Sequence, residues 1–281
     1  MSLARSLYGI FCVGLLALLS SSIAAQRLHV HQYDDLDGLP SRNVHGVEQA
    51  LDGRMWFSTR LGICTYDGAR WAKIESPALS APGLLESGGD GALWVMPRNG
   101  PLVVARYHQG EWAELPECPE RVSDYGLFAL AGIDLETVFV GARDVGLIGF
   151  VDGEWSRYAL GETIDCSVFA LVVRERQLFI GASSGLWRLD LDDLSAAPVA
   201  IDSVPSGPVL GLLSDGGSIV AAGNDWLGSL DGSEYTPSPA VSAPFVPYLG
   251  PIRLSRDLRG GLYLGHVNRL AYLDRNGRFS S

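Results

Sequence analysis

Lysine is all but missing from this chain: Lys73 stands alone against 20 arginines in 281 residues. Basic side chains of both kinds are outnumbered by 32 acids, and the formal net charge is −11. A surface of that sign repels nucleic acid and anionic lipid, so neither is an expected partner. Long apolar runs are equally scarce. Leu7–Leu19 offers 13 residues, short of the about 20 that a membrane-spanning helix wants. No second such run follows, and no helical periodicity is sustained beyond it. The chain also lacks a G-x-S-x-G elbow, an H-E-x-x-H pair and a phosphate loop, so it reads as a non-enzyme with no cofactor and no catalytic residue of its own.

Arg5 ahead of the apolar run, and the small residues Ser20–Ala25 behind it, mark residues 1–25 as a signal peptide. Cleavage after Ala24 or Ala25 would release residues 26–281 into the periplasm; an uncleaved anchor is the alternative. Cys12 lies inside the run without a lipobox around it. The released chain carries a formal charge of −12, because one arginine and no acid are removed. Cys64, Cys118 and Cys166 remain, an odd number with no zinc-like spacing. They read as buried thiols, or as one disulfide with a thiol left over.

Glycine, by contrast, is abundant, at 34 residues. Nine glycines follow Asp or Asn, where chance pairing would give about three, and such dipeptides favour two-residue type I′ hairpin turns. Gly turns followed by an aromatic recur at Gly68/Trp71, Gly110/Trp112, Gly153/Trp155, Gly232/Tyr235 and Gly277/Phe279. Their aromatics are 41, 43, 80 and 44 residues apart, a period near forty with one decayed copy. A second row, Trp56, Trp94, Phe139, Phe179, Val220 and Tyr263, steps by 38, 45, 40, 41 and 43. Within the first unit, Val44–Gln49, Met55–Thr59, Ile63–Tyr66 and Arg70–Ile74 read as four short strands. A forty-residue period of four strands predicts an all-β propeller with six blades in view.

Gly38-Leu39-Pro40-Ser41-Arg42-Asn43-Val44, Asp52-Gly53-Arg54-Met55-Trp56-Phe57-Ser58-Thr59, Leu61-Gly62-Ile63 and Tyr66-Asp67-Gly68 together resemble the opening blade of the two-component regulator propeller family. Phe179-Ile180-Gly181-Ala182 with Gly185-Leu186, and Tyr263-Leu264-Gly265, keep parts of the pattern. The resemblance implies a periplasmic ligand-sensing module of a transmembrane receptor, of two-component or cyclic-di-GMP type, whose kinase or cyclase output is not in this sequence. A sensor of this kind would take a small molecule, an anion or a carbohydrate, as its ligand and a homodimer as its signalling unit. Membrane association would come through a C-terminal region beyond this sequence or through an uncleaved signal. In this family the first strand usually completes the last blade, a place Leu28–Tyr33 could take, yet Arg278-Phe279 already begins an outer strand for the sixth unit. Two readings follow: an incomplete seven-bladed ring, truncated at the C-terminus, or a six-bladed ring closed by the N-terminal strand.

In a propeller the turn after each second strand opens on the face where the blades begin. Four residues beyond each second-row position stand Arg60, Arg98, Arg143, Ser183, Asn224 and Val267, with Arg269 two residues past the last. Three consecutive arginines reverse the sign of this acidic molecule locally and would draw a carboxylate, sulfate or phosphate to the rim. Arg60, Arg98, Arg143, Asn224, Asp225 and Arg269 are the candidate ligand-binding residues. Ser41, Arg42, Asn43, Asp144, His266 and Asn268 could add hydrogen bonds, and Trp226 could stack on a sugar or pack between blades. His29 and His31 precede Asp34, Asp35 and Asp37, but no third ligand is positioned, so no metal site is assigned. The alternatives to a sensor are a secreted protein-binding scaffold and a propeller lyase or hydrolase, for which His45 on the first strand is the candidate base.

Overall fold

The computed structural model describes residues 32–75, 82–123, 126–238, 251–266, 269–275 and 279–280. Its blades all lie within the compact unit Asp34–Ser281. Signal residues 1–25, His29 and His31, and all of Leu28–Tyr33 but Gln32 and Tyr33 lie outside the described residues.

Among the described residues, twenty-four strands form six antiparallel sheets of four, each sheet from one continuous stretch of chain. Blade one is β1 (Val44–Gln49), β2 (Met55–Thr59), β3 (Gly62–Tyr66) and β4 (Trp71–Ile74). Blade two is β5 (Pro82–Ser87), β6 (Leu93–Pro97), β7 (Ala105–His108) and β8 (Glu111–Glu114). Blade three is β9 (Leu127–Gly132), β10 (Val138–Ala142), β11 (Gly146–Val151) and β12 (Glu154–Tyr158). Blade four is β13 (Val168–Arg174), β14 (Gln177–Ala182), β15 (Gly185–Asp190) and β16 (Val199–Ala200). Blade five is β17 (Gly211–Asp215), β18 (Ser218–Ala222), β19 (Leu227–Asp231) and β20 (Glu234–Pro237). Blade six is β21 (Arg253–Arg256), β22 (Leu262–His266), β23 (Arg269–Leu273) and β24 (Phe279–Ser280). The inner strands β1, β5, β9, β13, β17 and β21 pack each on the next around the axis. The molecule is a six-bladed β-propeller, and its sixth blade is completed by its own outer strand, β24.

No blade could hide its apolar surface alone, so the core lies in the seams. Trp56, Trp94, Phe139, Phe179 and Val220 of the second strands are all buried. Trp94 joins Leu130, Val138 and Val140 across the seam between blades two and three. Phe139 joins Val168, Leu178 and Ile180 in the next seam. Aromatics of the outer row pack on the third strands: Trp71 on Tyr66, Trp112 on Tyr107, Trp155 on Phe150. The decayed copy is visible as well, because β16 is a two-residue strand with Val199 exposed.

Turn geometry departs from the expectation in one respect. Eight of the nine Asp/Asn-Gly glycines are described with positive φ, but the preceding residue shares it only at Asp152-Gly153. At Asp52, Asp67 and Asp90 the aspartate works through its side chain. Asp52 accepts from the Arg54 amide, and Asp67 from Ala69 and Arg70, turns closed by a carboxylate rather than a type I′ backbone.

Candidate functional site

The turns after the second strands and the starts of the inner strands meet on one face. Arg60 donates its amide to the Asn43 carbonyl at 3.0 Å, Arg143 to Gly126 at 2.7 Å and Ser183 to Ser167 at 2.8 Å. In blade two, Pro97 beside Arg98 is paired with Pro82 at the start of β5. The antiparallel blade explains why residues four places past each second-row aromatic share this face.

At the centre of the face is a cavity of about 470 Å³, lined by residues of four blades. Val44 and His45 come from blade one, Gly83, Leu84, Pro97 and Arg98 from blade two, Leu127 from blade three and Pro251 from blade six. It is the mouth of the central channel. His45 donates Nδ1–H to the Pro82 carbonyl at 3.0 Å, so that Nε2 is the nitrogen left to a ligand. Blades one and two are locked beside it by Ser58, whose hydroxyl donates to the Gly83 carbonyl.

Below the mouth, the chemistry changes. Side chains two residues apart on a strand share a face and lie roughly 6–7 Å apart along it. One such step beyond Leu84 is Glu86, and one beyond Pro251 is Arg253. Arg253 reaches across the axis and donates to the Phe128 carbonyl of blade three at 2.7 Å. Its side chain keeps exposed surface while protein encloses it on nearly every side, the situation of a group in a narrow wet channel. Glu48 occupies in blade one the place of Glu86 in blade two, opposite Trp56 and Trp94 respectively, and accepts from the Ser87 amide at 3.3 Å.

Burial, and then the charge of Glu48, push the Glu86 carboxyl up to about 8, with Arg253 pulling the other way. Burial also raises Glu48, against its hydrogen bonds to Ser87, and lowers Arg253, against the attraction of Glu86. Glu48 and Glu86 thus share one place in the register of their blades, while Arg253, paired with Gly265, stands one step nearer the mouth that Arg98 lines.

Of the predicted ligand-binding residues Arg98 lines this cavity, together with His45, the candidate base of the enzyme reading. Arg143 stands close by, its guanidinium 5.0 Å from the centre of the Phe128 ring, which itself stacks on Phe169 at 5.6 Å. Arg60 is exposed on the same face, outside the lining. Asn224 and Asp225 form the turn after β18 and are not in the cavity's lining, and Oδ1 of Asn224 is buried there without a hydrogen-bond partner. Arg269 opens β23, its backbone opposite His266; its side chain and Asn268 lie outside the described residues. Arg42 is held by Asp34 and Asp35, which also lowers the Asp35 pKa, and Asp144 accepts from the Ser167 hydroxyl. Trp226 packs edge-on against Tyr235 at 5.8 Å and is partly buried. Cys64, Cys118 and Cys166 are buried free thiols, and burial pushes Cys64 up to about 11.

Sequence reasoning missed Glu48, Glu86 and Arg253. A signal existed for the acids: in the register of the inner strands the same place is held by Ala131, Val172 and Leu213 in blades three to five. Two acids at a position that is otherwise small or apolar mark a departure from the repeat.

Fold and channel together define the class: a six-bladed propeller with a cavity at the mouth of its channel. No protein-family model and no curated protein matches the chain. Among solved structures it is similar to the extracellular domain of a putative hybrid two-component system from B. thetaiotaomicron, with 16% identity and a TM-score of 0.61 over 89% of this chain and 36% of that one. The extracellular domain of a putative one-component system from the same organism matches at 17% identity and a TM-score of 0.57, over 85% of this chain and 33% of that one. A catalytically inactive histidine-to-alanine form of virginiamycin B lyase from Staphylococcus aureus, with quinupristin, matches at 15% identity and a TM-score of 0.63, over 85% and 83%. The chain spans about a third of the length of the two extracellular domains. At such identities the likeness is one of fold.

Proposed function

We propose that this chain is an exported sensor module of a transmembrane signalling receptor, binding a small anionic ligand at the mouth of its central channel. The observation that carries the reading is Arg98 in the lining of a concave cavity, with Arg143 beside it and Arg60 on the same face, in a molecule of strongly negative charge. Guanidinium groups recognise carboxylates and phosphates by paired hydrogen bonds, and a concave site with low-dielectric walls strengthens them. The likeness to extracellular domains of signalling systems agrees with export and sensing. Ligand binding would act by favouring one arrangement of the module, in a dimer, over another.

A thermal-shift screen against sugars and acidic metabolites tests this, run on the protein and on a form with Arg60, Arg98 and Arg143 all changed to Ala. An acid that raises the melting temperature of the first and not of the second supports the reading. Stabilisation that survives the triple change refutes it.

His45 favours a second reading. It lines the mouth with Nε2 available as a base, and Glu48 and Glu86 stand on the strands around it. A propeller lyase would use such a histidine, and turnover by the isolated chain that is lost in His45→Ala would establish it.

A further inference from the structure

The inner strands of blades one to four share an irregularity at their mouth ends. Register slips between Val44 and Gly46 on β1, between Pro82 and Leu85 on β5, between Leu127 and Ala129 on β9, and between Val168 and Ala170 on β13. A bulge of this kind re-aims the side chains it sets out of register. Those are His45 in blade one, Leu84 beside Gly83 in blade two, Phe128 in blade three and Phe169 in blade four. Blades two to four hold apolar residues there, and the histidine is the exception.

The cavity has the same bias. Val44, Leu84, Pro97, Leu127 and Pro251 line it with Gly83, and Arg98 and His45 are the polar side chains of its lining. The backbone adds little to them. Pro97 and Pro251 have no N–H to offer, the Val44 amide donates to the Arg42 carbonyl at 3.2 Å, and the Pro82 and Gly83 carbonyls already accept from His45 and Ser58. A polyol seated here would leave most of its hydroxyls without partners, an unfavourable end for polar groups removed from water. A phosphate would set its extra oxygens against hydrocarbon. The wall suits an apolar body behind one charged group.

We infer that the mouth selects a monocarboxylic acid with an unbroken apolar body, its carboxylate on Arg98 and its hydrocarbon against Leu84, Pro97, Leu127 and Pro251. This inference rests on the anion site proposed above and deepens it, because it sets aside the sugar acids and phosphates that an arginine alone would admit. Arg98 supplies a planar fork for both carboxylate oxygens. His45 adds one ring nitrogen, its other being held by Pro82. Each methylene that passes from water into such a wall tightens binding by about fourfold. Affinity therefore climbs with chain length, and hydroxyls added along the chain lower it.

Isothermal titration calorimetry on the full chain tests this with acetate, butanoate, hexanoate, gluconate, phosphate and 1-hexanol. Hexanoate should bind about tenfold or more tighter than acetate, with butanoate between them, and about tenfold or more tighter than gluconate, which has the same number of carbons. Arg98→Ala should weaken hexanoate by about tenfold or more. Leu127→Asn should flatten the climb from acetate to hexanoate and leave acetate as it was. Leu84→Asn should do the same, so this readout survives the failure of either variant to fold. If gluconate or phosphate binds as tightly as hexanoate and depends on Arg98, the apolar-acid inference falls and the anion site stands. If 1-hexanol binds as tightly as hexanoate, or hexanoate is indifferent to Arg98→Ala, the inference falls and the anion site with it. If affinity does not rise from acetate to hexanoate, or no member of the series binds, the inference falls, and the wider thermal-shift screen still decides the anion site.

Discussion

Replacing Gly132 with Ala should be among the most damaging single-methyl changes available to this molecule. Gly132 ends β9, and a Cβ there would fall on Cδ1 and Nε1 of Trp94, deep inside van der Waals contact. The indole cannot step aside cheaply. It is 0% exposed, packed among Ala92, Met96, Leu130 and Val138, with the Arg106 guanidinium 6.0 Å from the ring centre. Adding a methyl to a well-packed core costs about 1–3 kcal/mol, and overlap with a caged ring belongs at the upper end, ~3 kcal/mol. Gly53→Ala is the control, for its Cβ meets open space and only its φ of +83° is strained, at about 1 kcal/mol. Urea unfolding midpoints at unchanged slope would compare the two. For a domain of this size ~3 kcal/mol should lower the melting temperature by roughly 6–12 °C. Trimming the obstacle should relieve the clash, so Gly132→Ala combined with Trp94→Phe should cost less than the sum of the single changes by about 1 kcal/mol or more. If Gly132→Ala proves no worse than Gly53→Ala, the seam between blades two and three is not packed as described.

Two further predictions concern buried ionisable groups. Between about pH 4.5 and 8 the folded chain keeps a proton on Glu86 that the unfolded chain has released, so this residue makes stability fall as pH rises through that window. Glu86→Gln should remove that part of the slope, up to about 1.4 kcal/mol for each unit by which the pKa is raised; equal slopes for both proteins, from unfolding free energies at about pH 5 and about pH 9, would contradict it. Cys64, Cys118 and Cys166 should not react with a thiol reagent in the folded protein at mildly alkaline pH and should all react once it is denatured. Rapid labelling of any one of them in the native state would show its seam to be open.

The strands were legible because their cause is local. Trp56, Trp94, Phe139 and Phe179 sit in short apolar runs bounded by Gly turns, and each run became a buried second strand. The missing Gly-aromatic phrase in unit four likewise became the stub β16. The turn type was not legible, because an aspartate that bonds its own backbone two residues on serves a hairpin as well as one with positive φ. Least legible was the channel. Arg253 and the carbonyl it meets are 125 residues apart, and nothing near Arg253 in sequence distinguishes it from Arg256, which instead pairs with Asp215 of the neighbouring blade. A row of rim arginines can be counted from a repeat, but which of them turns inward depends on how six sheets close about an axis.

That closure bears on how a ligand could be felt. Each sheet uses strands from one stretch of chain, so among the described residues no sheet joins blade six to blade one, and on β1 Val44 and Val47 stay 39% and 49% exposed. Blade six is held from within instead, by Arg253 on Phe128 and by Ile252, Leu262 and Leu264 packed with Phe128, Phe169 and Leu210. The mouth cavity draws Val44 and His45 from one side of this junction and Pro251 from the other. A molecule seated there touches the first and last blades at once, so part of its binding energy tightens the junction between the blades that begin and end the described ring. Occupancy at a hundred times the dissociation constant adds about 2.7 kcal/mol to the stability of the closed form. The stabilisation should therefore be largest where the ring is weakest, and amide exchange in β1 and β21 should slow on binding more than in β13, on the far side of the axis.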